Sequence, residues 1–240
     1  MKQRITKYFE KNVLPFVEQG SFRFGTLQSY RAKEGQVSGL DRMSDNREGL
    51  VQNAIFPAGG KVSYANIGGN TFVNCSFTTR GGGAPMIVES TINDFVFCAS
   101  LGDYDQEHHE KLLEKNPDLS EYAVIDLDRF LKGIRFSAPH QTTLRYTLGH
   151  PWLIHKPVRY GSTRTEYHVP STFIYGPLRP SSDEYERTVF CKPERFSHEK
   201  ELRVVIRPNA PACISDDEQE LILKHRKFKA SILRIGSIIN

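Results

Sequence analysis

Cysteine is scarce and scattered. The four residues Cys75, Cys98, Cys191 and Cys213 form no C-x-x-C pair. That excludes a zinc ribbon or a thioredoxin-type motif and argues against a disulfide framework at this chain length. Cys75, Cys98 and Cys191 stand beside apolar residues, the setting of a small buried hydrophobe. No apolar run approaches the ~20 residues that cross a bilayer, so no membrane partner is expected. Met1 to Tyr8 carries basic residues with no apolar stretch behind them, unlike a secretory signal. The expectation is a soluble, cytoplasmic protein.

Several motifs are also missing. There is no G-x-G-x-x-G after a strand, no G-x-x-x-x-G-K-[ST] and no G-x-S-x-G, which removes Rossmann, P-loop and nucleophile-elbow enzymes. His108-His109-Glu110 is not H-E-x-x-H, and adjacent helical side chains point about 100° apart. The pair is therefore expected on a solvent-exposed helix face, with no metal cofactor. Charge of one sign is weak: 32 Lys+Arg against 28 Asp+Glu gives a net charge of +4. The cations cluster, however, with Lys224, His225, Arg226, Lys227 and Lys229 near the end and Arg4, Lys7 and Lys11 near the start. A solvated face is favoured there, and a nucleic-acid partner is permitted.

What is present is enough apolar material for a core: 240 residues, 38% hydrophobic, with 15 Phe and 10 Tyr. No repeat and no linker divides residues 1–240, so a single domain is expected; Gly81-Gly82-Gly83-Ala84-Pro85 reads as a long turn. Thr6 to Glu18 reads as a helix disturbed by Pro15 and stopped by Gly20, followed by a short strand, Ser21 to Gly25. Leu50 to Phe56, Lys61 to Ile67 and Thr71 to Phe77 read as an antiparallel meander. Phe95 to Ala99 reads as a central strand, Tyr104 to Lys115 as a helix and Tyr122 to Ile125 as a buried strand leading into a short helix at Asp126 to Leu131. Late strands are expected at Leu153 to Tyr160, Glu201 to Arg207 and Ile232 to Ile239. Strands in succession with a few helices, and no βαβ alternation, give an α+β class.

The segment Phe196 to Ile206 carries the chemistry. If a strand begins at or just before Glu199, then Glu199, Glu201 and Arg203 share one face at about 7 Å spacing, with Lys200, Leu202 and Val204 on the other. An exposed strand with alternating charges is the plain alternative. Placement speaks against it, because Phe196 precedes the charges and Val204-Val205-Ile206 follows them. Two carboxylates at such an edge suit the holding of a sugar hydroxyl and the stabilisation of positive charge developing on a ribose carbon.

An E-x-E pair entering a strand resembles the motif of the ADP-ribosyltransferase superfamily. More closely, the chain is similar to a bacterial family of unknown function with a carboxyl-terminal aromatic-x-x-E-x-E-x-R signature. The matching stretches are Phe22 to Arg31, Asp45 to Gly49, Phe97 to Ser100 and Phe196 to Arg203; Phe196 stands where that family often has Trp. The resemblance implies a mostly antiparallel split sheet with flanking helices and NAD as co-substrate. It gives Glu201 the role of transferase glutamate and Glu199 that of orienting or deprotonating the acceptor. Ser100 would support the nicotinamide ribose. Arg23, or instead Tyr30 or Arg31, would contact NAD, and Tyr104 would stack on nicotinamide. Read from the residues themselves, Asp45 to Glu48 is a loop in which Asp and Asn are usual turn formers, or else Glu48 pairs with Arg31 to order a covering loop. The resemblance further implies a bacterial toxin of a toxin–antitoxin or phage-defence system, with an antitoxin partner and an acceptor in nucleic acid or protein. Two other readings stay open: a non-catalytic nucleic-acid-binding module, and a metal-independent nuclease with His198 as general base.

Overall fold

The computed structural model describes residues 2–27, 29–30, 50–55, 60–67, 70–77, 86–92, 94–140, 148–161, 182–208 and 220–238. Arg31, Asp45 and Glu48, the glycine-rich turn at 81–85, and Cys213 lie outside them. The chain packs as two compact units: one of residues 1–48, 93–161 and 190–240, the other of residues 49–92 and 162–189.

The first unit begins with a strand where a helix was expected. β1 (Arg4–Phe9) is followed by a 3₁₀ turn and only then by the short helix α1 (Leu14–Glu18). Ile5, Thr6, Tyr8 and Phe9 are β-branched or aromatic and all are buried, which favours a pleated surface buried on both sides. Pro15 sits in the first turn of α1, where its missing N–H costs nothing, so it starts a helix instead of breaking one. Next comes β2 (Ser21–Thr26).

β7 (Phe95–Leu101) is central. Along one edge it pairs with β12 (Glu201–Pro208), which pairs in turn with β9 (Leu148–Pro157). Its other edge forks. Near its end β7 meets β1 (Ile5↔Leu101, Thr6↔Ser100), which leads to β8 (Glu121–Asp126) and β14 (Ile232–Ser237). Near its start it meets β2 (Gly25↔Val96), which leads to β13 (Glu220–Lys224). Every pairing in this eight-stranded sheet is antiparallel. The short strands β10 (Arg159–Tyr160) and β11 (Cys191–Lys192) pair parallel beside it.

Helices cover both faces. α2 (Gln106–Lys115) is capped by Asp105, which accepts from His108 N, and α3 (Leu127–Ser137) by Asp126, which accepts from Arg129 N. Helix α4 (Ser182–Phe190) precedes β11, and α5 (Arg226–Lys229) lies between β13 and β14. Strand alternation sorts the residues. Leu202, Val204 and Ile206 join Phe22, Phe24, Phe95, Phe97, Phe130 and Phe228 in the main core on the α3 face. Glu201 and Arg203 turn to the α2 face, where Tyr8, Leu112, Tyr122 and Val124 form a smaller cluster.

In the second unit β3 (Leu50–Ile55) pairs with β6 (Met86–Thr91), and β4 (Gly60–Ile67) with β5 (Asn70–Phe77). The expected three-strand meander is thus corrected to one ladder nested inside another. Only two residues join β4 to β5, which favours their direct pairing, and β3 takes the later strand β6. Among the described residues no helix is long and apolar enough to cross a membrane.

Candidate active site

The candidate site is assembled by the start of β12 and by what reaches it from its neighbours. β12 starts at Glu201, so Glu199 is not on the strand as expected; it closes a 3₁₀ turn spanning Glu194–Glu199. Between them Lys200 adopts the left-handed conformation, with φ of 47°. This sharp joint brings the two carboxylates nearer than the ~7 Å of a regular strand. Both meet one ammonium: Lys192 Nζ of β11 lies 2.8 Å from Glu199 Oε2 and 2.7 Å from Glu201 Oε2. Arg203 Nε donates to Glu201 Oε1 at 2.7 Å. All four side chains are buried, which overturns the exposed-strand alternative.

The cross-strand register brings Ser100 opposite Glu201 and Cys98 opposite Arg203. Ser100 Oγ donates to the Glu199 carbonyl at 2.9 Å and lies 3.0 Å from His108 Nε2. Because the hydroxyl spends its one proton on that carbonyl, Nε2 must be the donor, which fixes the His108 tautomer. The Lys200 carbonyl accepts from Leu101 N at 2.8 Å, so the turn is tied to β7 twice. Glu201 N donates to the Tyr160 hydroxyl at 2.8 Å.

These surroundings push the two carboxyls apart. Burial alone lifts Glu201, but the Arg203 guanidinium and the Lys192 ammonium outweigh it, with help from the Cys98 thiol, and hold its pKa well below the ordinary value. Burial lifts Glu199 to about 8; Lys192 opposes this and the Glu201 carboxylate adds to it. Glu199 Oε1 and Glu201 Oε2 are buried without a hydrogen-bond donor, although Lys192 lies near the second. One proton on Glu199, directed at Glu201, satisfies both atoms. Burial, ahead of the nearby carboxylates, raises the Tyr160 hydroxyl to about 12, and it likewise raises the Cys98 thiol. His108 is lowered by burial and by Lys200. One carboxylate fixed as the anion beside another that carries a proton near neutrality is the arrangement of an acid–base pair.

Of the residues picked out from sequence, Glu199, Glu201 and Ser100 come together. Arg23 does not: it is exposed and pairs with Glu220 at 3.3 Å. Tyr30 lies over Gly25 of β2, where a Cβ would come 3.1 Å from its ring. Tyr104 stacks on Tyr122 at 3.8 Å and has Arg234 at 5.5 Å, so its ring is already packed. Contrary to expectation, His108 and His109 are buried, His108 on Ser100 and His109 Nε2 on the Leu119 carbonyl at 2.6 Å. His198 Nδ1 is held by the Arg195 carbonyl at 3.0 Å. Lys192, Tyr160, Cys98 and His108 were not foreseen as members of the site. Lys192 stands seven residues before Glu199 but on another strand, Cys98 and Tyr160 arrive from neighbouring strands and His108 from α2, so no short motif marks them. Among the described residues no group of three or more His, Cys, Asp and Glu is placed to hold a metal ion. The chain matches no family model, no curated protein and no solved structure.

Proposed function

We propose that the protein is an NAD-dependent ADP-ribosyltransferase in which Glu201 is the anionic carboxylate and Glu199 the acid–base partner. The observation that carries this reading is two buried carboxyls on one ammonium, Lys192 lying 2.8 Å from Glu199 and 2.7 Å from Glu201, with Arg203 donating to Glu201 at 2.7 Å; these surroundings lower Glu201 and raise Glu199. In the transfer, the bond between ribose C1′ and the nicotinamide nitrogen breaks and its electron pair stays with nicotinamide. Glu201 faces the positive charge left on the sugar. A lone pair of the acceptor forms the new bond to C1′, and the acceptor proton passes to Glu199 once that group is ionised. Ser100 fixes the Glu199 backbone and so positions the pair.

A second reading is favoured by burial: the four charges form a network that only ties β12 to β11. Glu199→Gln separates the two, because a neutral amide replaces a carboxyl that is neutral in the fold. The transferase reading expects wild-type protein to release nicotinamide from NAD and to transfer labelled ADP-ribose to a component of cell extract. Glu199→Gln should lower transfer by at least about 100-fold, the usual scale of acid–base assistance, with no loss of thermal stability. Full activity in that variant, or none in wild type, leaves the network reading.

A further inference from the structure

The basic turn near the carboxyl end is held rigidly by the apolar side of the sheet. In α5, Phe228 is fully buried, its ring centroid 5.6 Å from Phe22 and 5.2 Å from Phe130. Gly133 of α3 is bare where Phe228 lands, since a Cβ there would lie 2.6 Å from the ring. Gly20, with φ of 74°, leaves the same room for the Lys229 backbone, 2.7 Å from its would-be Cβ. With Phe228 as anchor, Arg226, Lys227 and Lys229 radiate from a single turn.

α3 runs alongside. Arg129 Nη1 donates to the Ala230 carbonyl at 3.1 Å, and Lys132, Arg135 and Phe136 are exposed. The Phe136 ring is 51% exposed, with Lys227 Nζ 3.0 Å from its centroid and the His225 ring parallel to it. The two helices thus hold six cations against one exposed acid, Asp128. Among the described residues only Arg129 of the six has a carboxylate partner, Asp126 at 3.7 Å.

We propose that this surface docks single-stranded nucleic acid, with the α3 and α5 cations on successive phosphates and an unpaired base displacing Lys227 from the Phe136 ring. A phosphate chain is the polyanion suited to cations spaced by a folded turn. An accessible aromatic among cations holds unpaired bases without regard to sequence, whereas the stacked bases of a duplex offer it nothing. The contacts are to phosphate and base faces, so RNA and DNA strands bind alike. This surface lies across the sheet from Glu201, and the inference does not rest on the NAD reading.

The test is fluorescence anisotropy of the full chain with labelled oligodeoxythymidylate, oligouridylate of equal length and a duplex. The single strands are expected to bind within a few-fold of one another and tighter than the duplex. The slope of log affinity against log salt should be near −4, about −0.7 for each phosphate that the α3 and α5 cations neutralise. Arg226→Gln/Lys227→Gln/Lys229→Gln, two exposed positions and one half-buried over Phe136, should weaken binding at least about tenfold at low salt with an unchanged circular dichroism spectrum. Lys227→Gln alone should move in the same direction. Phe136→Ala should weaken single strands several-fold while leaving the salt slope intact. Lys111→Gln/Lys115→Gln, on α2, should change nothing. The proposal is overturned by any of four results: no oligonucleotide binding at low salt, equal weakening by the α2 pair, preference for duplex, or capture of phosphatidylserine vesicles alone by the same turn.

Discussion

The two faces of one strand make opposite use of burial. On the α3 face, Leu202, Val204 and Ile206 of β12 meet Phe95, Phe97 and Phe130. Each buried apolar side chain there contributes roughly 1.5–3 kcal/mol. On the α2 face, Glu201 and Arg203 of the same strand are buried just as deeply. Taking such charges from water costs several kcal/mol each, and their mutual attraction offsets this only if partners and geometry are complete. The first face holds the fold together. The second is specified by it, because Lys192, Ser100 and Tyr160 arrive from three other strands. A costly polar cluster set against a robust core is the division expected of a functional site.

The largest expected effects break each face in turn. Phe97→Ala should cost about 3–5 kcal/mol through the cavity it leaves. Glu201→Leu should cost a similar ~3–5 kcal/mol because it removes the carboxylate that the buried Arg203 and Lys192 both contact. Urea unfolding at several pH values distinguishes the two: the first loss should be constant with pH and the second should vary. A loss at Glu201 below about 0.5 kcal/mol, the scale of a surface charge, would contradict the account.

A sharper contrast comes from pH. Folding raises Glu199 from its ordinary 4.5 to about 8, so the folded chain binds a proton that the unfolded chain gives up. The stability this contributes is fully present below 4.5 and is lost as pH rises through about 8. Glu201 works the other way: its pKa is depressed, so its contribution is present above the ordinary value and is lost in acid. Wild type should therefore lose stability from mildly acidic to alkaline pH. Glu199→Gln should abolish that slope in thermal melts read across the range. An unchanged slope would exclude Glu199 as its source.

The smallest effect belongs to the tie between the turn and β7. Ser100→Ala removes the donor to the Glu199 carbonyl and should cost about 1–2 kcal/mol, the scale of a buried unsatisfied group. The proton release near pH 8 should broaden as Glu199 is freed. A stability loss with an untouched Glu199 titration would make Ser100 a packing residue only.

Legibility in the sequence followed the same division. The apolar run at Phe95 and the alternation after Glu201 have the period of strands, and both strands are where that period expects them. The shared face of Glu201 and Arg203 follows from the period as well. Glu199 leaves the strand because the left-handed Lys200 breaks the alternation, and a lysine gives no hint of positive φ as a glycine would. β1 is ambiguous in sequence because Lys7 and Thr6 interrupt its apolar residues in a way that also fits a helix. Lys192 and His108 carry no motif of their own: Lys192 is buried because the joint at Lys200 turns Glu199 and Glu201 onto it, and His108 because α2 lays it against Ser100. The two-unit division leaves no linker to find, since the second unit is inserted into the first at two points.

The central claim is that Glu199 and Glu201 share a single proton at neutral pH. Carbon-detected NMR of glutamate labelled at the side-chain carboxyl measures it directly, with Glu199→Gln and Glu201→Gln for assignment. The account predicts one carboxyl that is protonated at pH 7 and titrates near 8, and one that stays ionised throughout the neutral range. Two carboxyls both ionised by pH 6 would contradict it.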